Sequence, residues 1–228
     1  MIEIQELEFR NLWIPELSLQ EGSIAVIGPN GSGKTTFLRL LAGLTIPDSG
    51  TIFIDEKSPG LWPAGFVNEY PDKNALFARV YDELAGPLRF RRVPCEAIPG
   101  RVRRVATSAG LEVLLDRDME TLSGGEKAMV AVVAAVIFNP KILILDEFDS
   151  HMDPETQAAA EMLLKHSNAD YLIRCTQNMD LAARCDTVVA LFNGKIKVAG
   201  TPEKVFSDLV GSCYYPFSWR LYGATRHG

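Results

Sequence analysis

The sequence predicts an α/β protein. A mostly parallel β core carries a glycine-rich loop, a helical subdomain interrupts it, and a small antiparallel β portion accompanies it. Three observations carry this reading. Residues 28–36 read GPNGSGKTT between an apolar strand-like run at 23–27 and a helix-forming run at 37–41. Further apolar runs at 142–145, 171–175 and 187–192 are separated by helical stretches, which is the pattern of parallel strands buried on both faces. From about 71 to 122 the β-branched runs disappear and Pro87, Pro94, Pro99 and Gly100 punctuate helical sequence.

Taken in order, residues 2–9 alternate apolar and polar side chains as a half-buried strand does. The run at 23–27 feeds the loop, and 50–55 forms another short strand. Residues 71–139 are assigned to the helical subdomain, with 1–70 and 140–228 forming the α/β core and its β portion, all within one domain over 1–228. Asn193-Gly194 joins the strand ending at Phe192 to Lys195–Val198 as a hairpin turn. The sequence contains no internal repeat and no low-complexity linker.

With 228 residues, 47% of them apolar, the chain can bury a large core without disulfides or metals. Cys95, Cys175, Cys185 and Cys213 lack C-x-x-C spacing and are expected as reduced, cytosolic thiols. The opening MIEIQELEF has no signal-peptide pattern, and the longest apolar run, 128–138, falls short of the roughly 18 residues of a membrane span. A net charge of −6 argues against broad nucleic-acid binding, which needs a basic surface.

The loop itself, Gly28, Pro29, Asn30, Gly31, Ser32, Gly33, Lys34, Thr35 and Thr36, matches G-x-x-x-x-G-K-T. Its glycines let the backbone curl so that N–H groups face phosphate oxygens, Lys34 supplies a fixed charge near the β and γ phosphates, and Thr35 offers a hydroxyl to Mg²⁺. This predicts a nucleoside triphosphate ligand. Downstream, Leu122-Ser123-Gly124-Gly125-Glu126 precedes an apolar helix, and 142–145 ends in Asp146-Glu147. Ser123 and the N–H groups of Gly124 and Gly125 at a helix N-terminus make an anion site. Asp146 can hold Mg²⁺ through water, and Glu147 can polarise the attacking water.

This ordered set of three motifs resembles the ATP-binding cassette family across essentially the whole chain. The resemblance implies a P-loop NTPase fold of that type, with ATP and Mg²⁺ as ligands. It implies that Ser123, Gly124 and Gly125 cap ATP held by a second protomer, in a homo- or heterodimer. Tyr70 to Leu88 looks like the corresponding stretch of energy-coupling-factor and cobalt or nickel importer ATPases, which dock there onto an integral membrane transport subunit; Asn74 stands where those subunits carry Gln. The segment 200–206 resembles the closing segment of many transport ATPases. A location at the cytoplasmic face of the cell membrane follows, with import of a metal cation or vitamin-class solute. Alternatives are a soluble cassette protein outside transport and a weakly hydrolysing regulatory subunit.

Two departures bear on chemistry. By register with the family, Glu69 stands at the Q-loop glutamine, and Gln177 and Asn178 replace the switch histidine and its following acid. Glu69 can ligate Mg²⁺ but adds negative charge beside the phosphates, worth roughly 3 kcal/mol at about 5 Å and an effective dielectric near 20 before compensation. Gln177 can donate to a γ-phosphate but cannot carry charge. His151 lies in Ser150-His151-Met152-Asp153, where the family's D-loop usually carries Gly-Leu before the Asp, and offers either a replacement imidazole across the dimer interface or an ordinary interface or surface side chain. For adenine stacking the chain offers Trp13, favoured over Phe9. Arg89, Arg91, Arg92, Arg101, Arg103 and Arg104 form either a solvated helix face or a surface for acidic headgroups or a partner's cytoplasmic loop. The aromatic tail, Tyr214, Tyr215, Phe217, Trp219 and Tyr222, is expected to pack on its own domain.

Overall fold

A computed structural model describes residues 1–70, 75–148 and 152–222. The chain divides into two compact units, Met1–Trp62 with Asp170–Gly228, and Pro63–Ala169.

In the first unit, β1 (Ile2–Phe9) pairs antiparallel with β2 (Leu12–Leu19) on one side and β4 (Ser49–Ile54) on the other. The alternation in β1 breaks between Ile4 and Leu7, yet both are buried. A bulge reconciles them: Glu6 takes φ 47, and the register with β4 shifts between Gln5 and Glu8. Opposite the bulge, Gly50 (φ 80) must be glycine, because a Cβ there would lie 2.2 Å from the Glu6 carbonyl oxygen. Strand β2 carries Pro15 and therefore lies at the sheet edge, where a missing N–H breaks no ladder.

The second sheet of this unit centres on β3 (Gly22–Ile27), which runs parallel to both β7 (Tyr171–Cys175) and β8 (Thr187–Phe192). Strand β9 (Lys195–Gly200) returns antiparallel to β8 through Asn193 (φ 50) and Gly194 (φ 76), the backbone of a two-residue hairpin turn. Helix α1 (Lys34–Leu41) leaves β3 through the glycine-rich loop. Helices α6 (Met179–Ala182), α7 (Pro202–Ser207) and α8 (Phe217–Tyr222) complete the unit. Part of the aromatic tail packs on its own unit: Trp219 meets Phe206 edge-on at 5.4 Å and Tyr214 meets Phe192 at 5.1 Å, whereas Phe217 is 64% exposed.

In the second unit, β5 (Ala64–Val67) and β6 (Ile142–Asp146) pair in parallel. Helix α4 (Gly124–Val136) lies against β5, α2 (Val80–Phe90) and α5 (Pro154–Lys165), and α3 (Ile98–Ser108) packs on α2. Gly65 permits the close approach of α4, since a Cβ there would sit 2.4 Å from the Ala135 carbonyl oxygen. The compact division thus falls at 62/63 and 169/170, whereas the sequence places the helical subdomain at 71–139. The physical reason is that β5 and α5 pack on α4, and β6 pairs with β5.

All four cysteines are free thiols; Cys175 and Cys185 are buried and Cys95 and Cys213 exposed. No described helix is long and apolar enough to cross a membrane.

Candidate functional site

The loop at 28–33 is shaped by its glycines. Gly28, Gly31 and Gly33 all have positive φ, and at Gly28 a side chain would meet the Leu191 carbonyl oxygen at 2.0 Å. The β8–β9 turn braces the loop from the other side, with Gly194 N–H donating to the Ser32 carbonyl at 3.0 Å and Trp13 N–H to the Gly194 carbonyl at 2.7 Å.

Within the loop Lys34 is only 6% exposed, and its ammonium donates to the carbonyls of Gly28 (2.9 Å) and Pro29 (3.1 Å). The positive charge is thereby held inside the curl of the loop, and a phosphate oxygen can take over these bonds. Ser32 Oγ is 3% exposed at the residue level and has no hydrogen-bond partner among the described residues. A buried hydroxyl left unpaired costs about 1–3 kcal/mol, a cost that a phosphate acceptor removes. Helix α1 begins at Lys34 with no side-chain cap and no acid in its first turn, so its N-terminal N–H groups stay available to an anion. Thr35 is exposed in this first turn. The loop therefore fits a triphosphate, and the Thr35 hydroxyl suits a hard cation such as Mg²⁺.

Gln177 comes to the loop from the end of β7, its amide donating to Asn30 Oδ1 at 3.3 Å. Asn178 is exposed too, but its side chain is engaged locally. Its Oδ1 caps α6 by accepting from the N–H groups of Asp180 and Leu181, each at 3.1 Å. Asp180 in turn accepts from Ser218 N–H (2.9 Å) and Ser218 Oγ (2.6 Å), tying α6 to the start of α8. Trp13 is 43% exposed with the Lys195 ammonium 5.0 Å from its ring centroid, while Phe9 is half-buried beneath Arg10.

In the second unit, β6 is buried throughout and ends at Asp146, 5% exposed. Glu147 then turns with φ 48, a left-handed conformation that a glutamate adopts only at some cost. Glu69 is half-buried. Its hydrogen bond to the Tyr70 phenol, then its negative charge, then partial loss of solvent and last the charge of Glu147 raise the Tyr70 pKa.

Ser123 is the N-cap of α4 in a complete capping box: its Oγ accepts from Glu126 N–H at 3.2 Å, and Glu126 Oε2 accepts from Ser123 N–H at 2.7 Å. The two bonds from Ser123, backbone first, hold the Glu126 carboxyl below its ordinary pKa. The spacing S-x-x-E within LSGGE signals this box in the sequence, and the reading above missed it. Gly124 has nothing near a would-be Cβ, whereas one on Gly125 would meet Thr156 Oγ1 at 3.2 Å. Asp153 caps α5 by accepting from the N–H groups of Glu155 and Thr156. His151 and Asn74 lie outside the described residues.

Beside the start of α2 is a cleft of about 520 Å³ lined by residues 75–78, 118–120 and Lys127. Leu76 at its lip is 75% exposed. Phe77 is half-buried, stacked obliquely near Phe90 (6.4 Å) and close enough to Gly86 that a Cβ there would clash at 2.6 Å. Glu83 fixes this bend by accepting from the N–H groups of Leu76 and Phe77, each at 2.9 Å.

Comparison with known proteins agrees with this arrangement. The ABC transporter family profile matches residues 15–150. The energy-coupling factor transporter ATP-binding protein EcfA1 of Streptococcus pyogenes serotype M5 is 34% identical over 194 residues, covering 81% of this chain and 70% of that protein. Among solved structures, cbiO1 from Clostridium perfringens, part of the ABC transporter complex cbiONQ, superposes with TM-score 0.77 at 26% identity, covering 91% of each chain. An ATP-binding subunit of an ABC transporter superposes with TM-score 0.79 at 22% identity, covering 91% of this chain and 92% of that one, a likeness of fold.

Proposed function

The chain belongs to the ABC transporter family as one of its ATP hydrolases, and we propose that it is the ATP-binding subunit of an importer for a metal cation or vitamin-class solute. The observation that carries the proposal is the loop around Lys34, with its buried ammonium and the unpaired Ser32 hydroxyl, in a chain 34% identical to an energy-coupling factor ATPase. The similarity to cbiO1, part of the cbiONQ complex, supports assembly with a membrane transport subunit.

In this reading the loop from Gly28 to Thr36 holds the phosphates, with Lys34 countering the charge that develops on the transferred group. Trp13, with one face toward Lys195, offers the other to adenine. Thr35, Asp146 and Glu69 would hold Mg²⁺, which draws charge from the β and γ oxygens when bound. Glu147 orients and deprotonates the attacking water. Gln177 donates its amide to the γ-phosphate from its place beside Asn30. Ser123, Gly124 and Gly125 cap the nucleotide of a second protomer. Glu69 and Gln177 favour slow intrinsic turnover, because one adds negative charge and the other removes a positive one.

The cleft beside α2 receives the cytoplasmic segment of the membrane subunit, which places the chain at the inner membrane face. Its exposed rim is Leu76; Phe77 holds the bend together, so Leu76 is the position to alter. Affinity purification of the tagged chain from native membranes tests this. Wild type is expected to bring down an integral membrane protein, and Leu76→Asp to lose it while still binding ATP. Equal recovery of the membrane protein by both would remove the cleft from the interface.

A further inference from the structure

Residues 89–104 hold six arginines against one carboxylate, Glu96, in a chain whose net charge is −6. Two of the six have structural work. Arg89 pairs with Asp82 at 2.9 Å, and Arg91 stacks 4.0 Å from the Phe138 centroid. Both also sit at the C-terminal end of α2, where a cation is favoured by the helix dipole. The other four, Arg92, Arg101, Arg103 and Arg104, have no ion pair or side-chain hydrogen bond among the described residues. On α3 the buried positions are Ile98, Val102 and Ala106, which turns Arg103 and Arg104 to the exposed face.

Arg92 adds a backbone argument. It occupies the α2–α3 turn with φ 57, where glycine or asparagine would be the less strained choice. Neither turn geometry nor packing calls for an arginine there. Beside it Phe90, the last residue of α2, is 69% exposed. The α2–α3 stretch thus carries four guanidinium groups with no ion pair among the described residues, beside an exposed Phe90 that leans on Phe77, with Glu96 the one acid between 89 and 104.

We propose that this α2–α3 edge docks on anionic phospholipid headgroups. Guanidinium groups match phosphate oxygens in bidentate geometry, and Phe90 enters the headgroup layer as the apolar element. The interaction is local: at about 0.1 M salt the Debye length is about 10 Å, so the patch acts on the membrane while the acidic remainder of the chain is screened. Each basic residue near an anionic surface contributes about five-fold in partition.

Flotation of the purified chain with vesicles tests the proposal in the absence of any transport subunit, so its failure leaves the importer reading standing. Wild type is expected to float with vesicles of equal parts phosphatidylglycerol and phosphatidylcholine and to stay behind with pure phosphatidylcholine. Arg92→Ala/Arg103→Ala/Arg104→Ala is expected to lose about a hundredfold in partition with ATP binding intact, and the corresponding triple Lys variant to keep most of it. Raising the salt should weaken wild type and leave the Ala variant unmoved. The proposal is overturned if wild type ignores anionic vesicles, if it partitions equally into neutral ones, or if the triple Ala variant floats as well as wild type. Wild type that ignores the vesicles but binds poly-glutamate through these arginines would assign the edge to an acidic protein segment instead.

Discussion

In the proposed reading Gln177 takes the place of the family's switch histidine. Its amide reaches Asn30 of the loop, and it brings no charge. Nucleotide affinity should be ordinary, because Lys34 and the loop are intact, while the chemical step should be slow. Gln177→His is expected to raise kcat by about tenfold or more with a smaller change in KM, since charge stabilisation acts on the transition state. Glu69→Gln should act in the same direction by removing a negative charge and releasing Tyr70. The double variant should be non-additive, both side chains acting on one phosphate. Steady-state ATPase rates of the four proteins check this; brisk wild-type turnover with no gain in Gln177→His would mean the switch position does not limit the reaction. The Gln177–Asn30 contact spans 147 residues and could not be read from sequence, whereas the loop motif could, because phosphate binding needs its glycines and lysine consecutively.

At the level of elements, α4 and α5 owe their starts to carboxylates. Glu126 is held below its ordinary pKa by the Ser123 N–H and hydroxyl, and Asp153 by the Thr156 N–H and then its hydroxyl. Both folded-state values lie under the unfolded ones, so their stabilisation is complete above about pH 4 and is lost as pH falls through the lowered folded values. Thermal melts should therefore show wild type losing stability on acidification below about pH 4 more steeply than Glu126→Gln/Asp153→Asn. At neutral pH, Ser123→Ala should cost about 1 kcal/mol as a lost cap. A parallel acid dependence of the two proteins would deny these carboxylates their role. The elements legible in the sequence were β1, whose alternation breaks only at its bulge, the apolar or short strand runs of β3, β4, β6, β7 and β8, and the β8–β9 turn. Strand β2 was missed because Pro15 and a shift of phase between Ile14 and Leu17 hide its alternation, and β5 because Ala64–Val67 is four residues long and contains Gly65. Helix α8 was read only as an aromatic tail, its helical register masked by Pro216 and the Tyr214-Tyr215 pair.

For the whole molecule, the nucleotide loop and Gln177 belong to one compact unit, and the α4 cap, Asp146 and Glu147 to the other. Ser123 is exposed at a helix N-terminus whose Gly124 leaves open space, as a surface awaiting an anion from outside the chain would be. The central claim is that ATP itself joins two protomers, one supplying the loop and the other the Ser123 cap. Light scattering coupled to size-exclusion chromatography of Glu147→Gln at saturating Mg-ATP tests it most directly, because blocking hydrolysis should trap the joined state. The account predicts an ATP-dependent dimer, formed alone or with the chain's natural cassette partner, that Ser123→Arg abolishes. A Glu147→Gln protein that stays monomeric under both conditions would contradict it.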